Sequence, residues 1–484
     1  MSLWRQIKKG VKAGIMAMKN KSIGGMPEAE VRELIEQFLQ SPERKEMLAG
    51  ERYYKVKNKI LHRKIYKELS DGRKIELKYR ANHKLAHATY KNMVDEKLQY
   101  LFAKPYTLQC ENEDYVENIK KALGKSFQST LYKLGYQASN KGTGWLHPYV
   151  TESGELKFKV FPSEQLCPIW TDSDHEELAA MIRIYTVQEW SNGSFRDKTN
   201  IEIHRPEGPE FYVMDGDYLL AEERGWNELG EPVGYWSEGG EEVTWDKVPF
   251  IPFKNNLVEM PDISFVKSLI DEYDLTRSEA ANYVEDVKAL IWILKGYSGT
   301  SVEEFFERIN DDRVIPLDSG NEGDGVETIT PNVDVSALIA HYEQLKKDIL
   351  EGGQAVNKDT DKMGSAPSGI ALQFLYAGLD MKCNALETSF KEGFNQLLYF
   401  INKFYGISDP CEDLTLILNR DIKVNETEKI TNLNSSRPNI SEKTYLAQHP
   451  YVSDVEKEMD AIKEENSENN PFKDKVPIVG DLYE

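Results

Sequence analysis

The stretch from Gly369 to Tyr405 reads as one helix of about 37 residues, close to 55 Å long at the usual rise per residue. Helices of that length brace something large. What precedes it narrows the choice further. Pro261 and Asp262 open a helical pattern that runs to about Lys288, with Ile263, Val266, Ile270, Tyr273, Ala280, Val284 and Val287 as its apolar positions. A short strand-rich insert follows. Its apolar runs are Ala289–Lys295 and Arg313–Leu317, around a small helix at 302–309, and it ends in a glycine-rich loop from Gly320 to Gly325. Helical pattern resumes from about Asp334 to Leu350, then fails between Glu351 and Pro367, where Gly352, Gly353 and Pro367 bracket a polar loop. Two helices around a small β-rich insert, then a polar loop, then a long brace make little sense for a compact enzyme. They suit an extended subunit that packs against its neighbours.

The rest of the chain supplies a mixed α+β, mainly helical body. Residues 1–26 carry Arg5, Lys8, Lys9, Lys12, Lys19 and Lys21 and no acid, while Trp4, Ile7, Val11, Ile15 and Met18 recur every three or four residues. The pattern predicts a basic amphipathic helix; an arm between subunits or against a scaffold is favoured over contact with a membrane surface or nucleic acid. From Pro27 to about Phe102 the pattern is helical, with Val31, Leu34, Ile35 and Phe38 on one face, and further helices are expected around 83–102 and 113–140. After Gly144 short alternating runs such as Leu156, Phe158, Val160 and Ile182, Ile184 are broken by turns at Ser153-Gly154, Asn192-Gly193 and Asp215-Gly216. They predict an antiparallel sheet region ending near Asn256. A strand at Leu414–Leu418 and a seam of Val452, Val455, Met459 and Ile462 follow, and residues beyond Glu464 are polar and expected to fray.

Composition removes several classes. The chain has 484 residues, and 40% are hydrophobic against 29% charged, enough for several packed units. Cys110, Cys167, Cys383 and Cys411 lie far apart without a CxxC pair, so neither a disulfide framework nor a thiolate metal site is expected, and a reducing cytoplasm is the simpler setting. No apolar run approaches a membrane span and no secretory signal opens the chain, which reads as soluble and made inside a cell. A formal charge of −21 argues against a surface that grips phosphates tightly.

Motifs for chemistry are weak. Gly124-Lys125-Ser126 resembles the end of a phosphate-binding loop, but Ile119 stands where a glycine is needed and a helix precedes it. His83 and His87 would share a helix face without a third metal ligand, and read as surface or packing residues. Gly364 to Gly369 would put Ser365 where a nucleophile elbow needs glycine and Pro367 where the nucleophile belongs. The acidic clusters Asp172–Glu177 and Asp311-Asp312 could hold a divalent cation in a metal-dependent nuclease or phosphohydrolase, the rival reading, but solvated turns account for them more simply. No enzyme, cofactor or metal is expected.

Ordered blocks then carry a resemblance. They are Met93 to Pro105 (MVDEKLQYLFAKP), Val160 to Ile169 (VFPSEQLCPI), Val248 to Asn256 (VPFIPFKNN), Asp274 to Asn282 (DLTRSEAAN), Pro367 to Leu372 (PSGIAL) and Ile440 to Leu446 (ISEKTYL). In these blocks the chain resembles the portal proteins of long-tailed bacteriophages over essentially its whole length. One departure is Ala103, where relatives often have glycine.

The resemblance implies a twelve-subunit ring at one capsid vertex, a channel for packaging and ejecting double-stranded DNA. The terminase motor, head-tail adaptor, major capsid and scaffolding proteins would be its partners. It implies residues 1–261 as wing, 262–288 and 332–355 as stem helices, 289–331 as clip, 356–368 as tunnel loop, 369–405 as the long wing helix and 406–484 as crown. Asn357, Lys358, Asp359, Thr360, Asp361, Lys362 and Met363 would face the DNA. Gly352, Gly353, Gly364, Pro367 and Gly369 would act as loop hinges, and Arg308 and Arg313 would be clip contacts. The expected location is the virion, after assembly in the host cytoplasm, with no membrane involved.

Overall fold

The computed structural model describes residues 22–23, 26–77, 80–191, 193–216, 218–226, 233–288, 291–295, 325–329, 335–357, 369–420, 426–452 and 455–468. It divides into two compact units: residues 1–355 with 378–420, and residues 356–377 with 421–484.

The first unit opens with a short antiparallel pairing of Ser22–Ile23 with Met26–Pro27, where the end of the expected basic helix was placed, followed by α1 (Glu28–Gln40) and α2 (Pro42–Tyr54). Ser41 separates them: its side chain accepts the Arg44 N–H at 3.1 Å, and Pro42 takes the first helical position, where a missing N–H costs nothing. The helical pattern expected to continue to Phe102 is overturned between residues 55 and 88. That stretch holds a short 3₁₀ turn at Lys59–His62 and a hairpin of β1 (Tyr66–Glu68) and β2 (Lys74–Glu76), then residues 81–88 without regular secondary structure. Helix resumes at α3 (Thr89–Phe102). Ala103 stays right-handed at φ −70°, ψ −35°, a conformation any residue adopts, so the turn before Pro105 needs no glycine.

After β3 (Thr107–Gln109), the helix expected at 113–140 is two: α4 (Glu113–Leu123) and α5 (Phe127–Lys141). Gly124, at φ +70°, breaks it. The predicted antiparallel region is present as two sheets. Strands β4 (Thr143–Val150) and β5 (Leu156–Phe161) pair with each other, and β13 (Ile251–Lys254) closes the other edge of β4. The larger sheet runs in the order β10-β9-β8-β7-β6, from Tyr218–Ala221, Gly208–Asp215, Ser194–Arg205 and Leu178–Ser191 to Leu166–Trp170. Its inward residues Ile182, Ile184, Ile201, Ile203 and Tyr212 bury Val31 and Ile35 of α1. A second core of Trp145, Phe161, Leu166, Met181, Val248 and Phe250 joins the sheets. In chain order a small hairpin of β11 (Trp236–Glu238) and β12 (Glu241–Val243) precedes β13.

Helix α6 (Ile263–Lys288) matches the sequence reading. In the insert after it, β14 (Ile291–Lys295) pairs antiparallel with β15 (Gly325–Ile329), while the expected Arg313–Leu317 run and the small helix expected at 302–309 lie outside the described residues. Then come α7 (Val335–Gly352), the 37-residue α8 (Gly369–Tyr405) and β16 (Thr415–Ile417). β16 pairs antiparallel with β3, more than 300 residues earlier. That pairing brings Cys110 and Cys411 into a disulfide across a sequence separation of 301, a bond that the expectation of no disulfide framework did not foresee. Spacing along the chain cannot reveal a bond that the topology alone creates.

The second unit contains α9 (Glu426–Ser436), α10 (Glu442–Gln448) and α11 (Val455–Glu468). Ser441 caps α10 by accepting the Thr444 N–H at 3.2 Å, and Tyr445 donates to Asn434 at 2.8 Å. Val452, Val455, Met459 and Ile462 are half-buried, and α11 continues to Glu468 where fraying was expected after Glu464.

Candidate functional site

Five elements of the first unit meet near the start of α6 and the end of α7. At their junction sits a buried charge cluster. Lys97 of α3 and Asp262, just ahead of α6, are 1% and 2% exposed. The Lys97 ammonium donates to Asn255 at 2.6 Å and to Asp262 at 3.1 Å, and Asn255 donates to Asp262 at 2.9 Å. Lys382 of α8 lies 3.1 Å from the same carboxylate and donates to the Gly353 carbonyl at 3.1 Å. Burial alone would raise the pKa of Asp262; Lys382, Lys97 and Asn255 outweigh it and hold the carboxyl at about 2. Burial depresses the pKa of Lys97 despite its partner. One carboxylate thus ties together α3, the loop after β13, the start of α6 and α8, and through Lys382 the end of α7.

A second set fixes α6 along its length. Residues 83–87, which form no strand, lie against it and are held by its side chains. The N–H groups of His83, Leu85 and His87 donate to Asn282 at 2.6 Å, Ser278 at 3.0 Å and Asp274 at 3.1 Å. The match is metric. Two extended residues advance about 6.6 Å, four helical residues about 6.0 Å, so alternate donors meet every fourth acceptor. Asp274 also accepts from Asn58 at 2.6 Å and faces His87 Nδ1 at 2.7 Å, yet burial prevails and its carboxyl stays above the usual range. His83 and His87 are therefore not on a helix; they belong to this strap.

Gly353 has its own packing reason. A Cβ there would stand 1.7 Å from Met93 Cε. The left-handed residue after α7 is Gln354, at φ +51°. Gly353→Ala is expected to cost about 1–3 kcal/mol through overpacking, and less than about 0.5 kcal/mol when introduced into a Met93→Ala protein. A double-mutant cycle by urea unfolding checks this, and equal costs in both backgrounds would refute it.

The other sequence-derived positions distribute as follows. Gly352 is the exposed last residue of α7, Asn357 is half-buried, and Gly369 opens α8. Lys358, Asp359, Thr360, Asp361, Lys362, Met363, Gly364, Pro367, Arg308, Arg313 and the N-terminal arm to residue 21 lie outside the described residues, as do Asp311 and Asp312. Asp172 uses its carboxylate to accept the N–H groups of Asp174, Glu176 and Glu177 at 2.8, 3.1 and 2.8 Å, which hold it below the usual carboxylate range. It is a turn former. Among the described residues no group of three acidic, histidine or cysteine side chains is placed to hold a metal, and no helix is long and apolar enough to cross a membrane. Sequence reasoning missed Lys97, Asn255, Asp262 and the Asp274, Ser278, Asn282 ladder as a working set. The polar spacing of four within the Asp274–Asn282 block was the available signal.

These buried polar groups fix helices and strands of the first unit to one another. The chain belongs to the phage portal proteins: residues 40–471 match the family described as phage portal protein, SPP1 Gp6-like. It is 28% identical over 461 residues to the portal protein of Bacillus phage SPP1, covering 93% of this chain and 89% of that one. It is 30% identical over 426 residues to the portal protein of Clostridium phage phiCD119, covering 85% and 91%. The family places the chain among the structural proteins of the capsid vertex, with a role in DNA packaging. No support is found for the nuclease or phosphohydrolase reading.

Proposed function

We propose that the chain is one of twelve subunits closing a ring around duplex DNA, assembled in the host cytoplasm and retained in the virion. The observation that carries this is the family match across residues 40–471, joined to the order of α6, the β14–β15 hairpin, α7 and the long α8. In this reading residues 1–261 form the wing, 262–288 and 332–355 the stem, and 289–331 the clip. Residues 356–368 form the tunnel loop, 369–405 the long wing helix and 406–484 the crown. The clip would present Arg308 and Arg313 to the adaptor or a neighbouring subunit. Terminase, the major capsid protein and scaffolding protein would bind the outer surfaces.

A translocation channel must avoid trapping its cargo, because each fixed phosphate contact adds counterion-release free energy that movement has to break. Subunits of charge −21 give an acidic wall that keeps the duplex near the axis. Lys358 and Lys362 balance Asp359 and Asp361, so the loop makes brief, exchangeable phosphate contacts, with Gly352, Gly353, Gly364, Pro367 and Gly369 setting its path. Lys358→Ala with Lys362→Ala is expected to reduce packaged DNA about tenfold or more while rings still assemble. Packaging assays read this, and unchanged packaging would remove the loop from the mechanism. Electron microscopy of the purified protein tests the ring itself: an axial hole supports it, compact monomers sink it.

A further inference from the structure

A cleft of about 600 Å³ opens between the β4–β5 turn, the β11 strand and the end of α8. Its floor is aromatic. Trp236 packs on Trp245 with ring centroids 4.4 Å apart and on Phe404 at 5.9 Å, and Tyr235 donates to the Arg205 carbonyl at 2.7 Å. Its rim is acidic. Glu152 and Glu238 line it, Glu241 follows across the β11–β12 turn, and among the described residues none of the three has an ion-pair partner. Phe404 also brings the C-terminal end of α8 to the cleft, where a helix carries partial negative charge. No basic residue lines it. Rigid aromatic faces under a carboxylate rim suit a cationic side chain beside an apolar anchor.

One segment of this chain has that chemistry. Residues 1–21 carry six bases and no acid, with Trp4, Ile7, Val11, Ile15 and Met18 as an apolar stripe, and as a helix they would reach about 30 Å. We infer that this arm docks in the cleft of the neighbouring copy. The inference rests on the ring reading. Copies that each carry −21 repel one another overall, and a segment of six bases and no acid set against an acidic cleft offsets part of that repulsion. A ring interface also joins two different patches of each subunit, which arm and cleft supply.

Three full-length proteins test it: wild type, a variant lacking residues 2–21, and Glu152→Lys/Glu238→Lys/Glu241→Lys. Native mass spectrometry across a dilution series should show both variants dissociating at about tenfold higher concentration than wild type, with high salt narrowing the gap. A synthetic peptide of residues 1–21 should bind the armless protein. It should bind at least about tenfold more weakly once the three glutamates are also reversed. Peptide that binds neither protein, or both equally, overturns the inference. For the source, Ile15→Cys protein mixed with Ser237→Cys protein and a bismaleimide should give a crosslinked pair. Crosslinking confined to one chain carrying both cysteines would overturn docking between copies. If wild type forms no ring at all, the ring reading fails, while the peptide titration still reports on the cleft.

Discussion

Replacing Asp262 by alanine should destabilise the protein by about 3–5 kcal/mol, the cost of leaving a buried ammonium without its counter-charge. Lys97 would keep only the Asn255 amide oxygen, 2.6 Å away, and would face Lys382 with nothing between the two cations. The neighbouring solvent offers no relief, since Lys97 is 1% exposed. Lys97→Met combined with Asp262→Asn removes both charges and should recover at least about 1–2 kcal/mol relative to the sum of the separate losses. Urea unfolding of the four proteins measures the coupling; strict additivity would mean that the two side chains do not depend on each other.

Acid should weaken the fold from about pH 6.5 downward, well before the carboxylates titrate, and His147 should be responsible. Its ring is buried between the sheets, against Phe250 at 4.6 Å and His204 at 5.3 Å. Its Nδ1 lies 2.6 Å from the Pro249 carbonyl, which can only accept, so Nδ1 carries the proton of the neutral ring. Burial first, and then His204, push its pKa from 6.5 to about 3. Between those values the unfolded chain binds a proton that the folded one refuses, so stability falls as pH falls, by up to about 1.4 kcal/mol per unit. Carboxylates held low, such as Asp262 and Glu202 at about 2, lose their contribution only below the ordinary carboxylate range near 4.5. His147→Gln keeps a donor for the carbonyl and has no proton to take up. Relative to this variant, wild type should lose about 2 kcal/mol between pH 7 and pH 5; parallel unfolding midpoints at both pH values would show that His147 is not the titrating group.

How far the sequence discloses such features depends on whether they are local. Helix α8 is legible from Gly369 to Tyr405 because a long apolar periodicity is written in consecutive residues. The paired strands around Ser153-Gly154 and Asn192-Gly193 are legible for the same reason. The stretch from 55 to 88 misleads because His83 and His87, four apart, satisfy a helical template as easily as an extended one. The deciding partners, Ser278 and Asp274, stand nearly 200 residues away. Lys97 with Asp262, β3 with β16 and Cys110 with Cys411 share that character. The portal family was legible through ordered blocks, and the Asp274 to Asn282 block contains all three acceptors of the strap, so the resemblance marked their importance without disclosing their task.

The strap gives α6 a property that ordinary helix packing lacks. Apolar side chains tolerate small slides and rotations, whereas three backbone donors held by Asn282, Ser278 and Asp274 all disengage if the helix turns by a fraction of a residue. The next setting that re-engages any of them lies a full turn away, about 5–6 Å along the axis. A force along α6 therefore has to break several of these bonds together before the helix can slide.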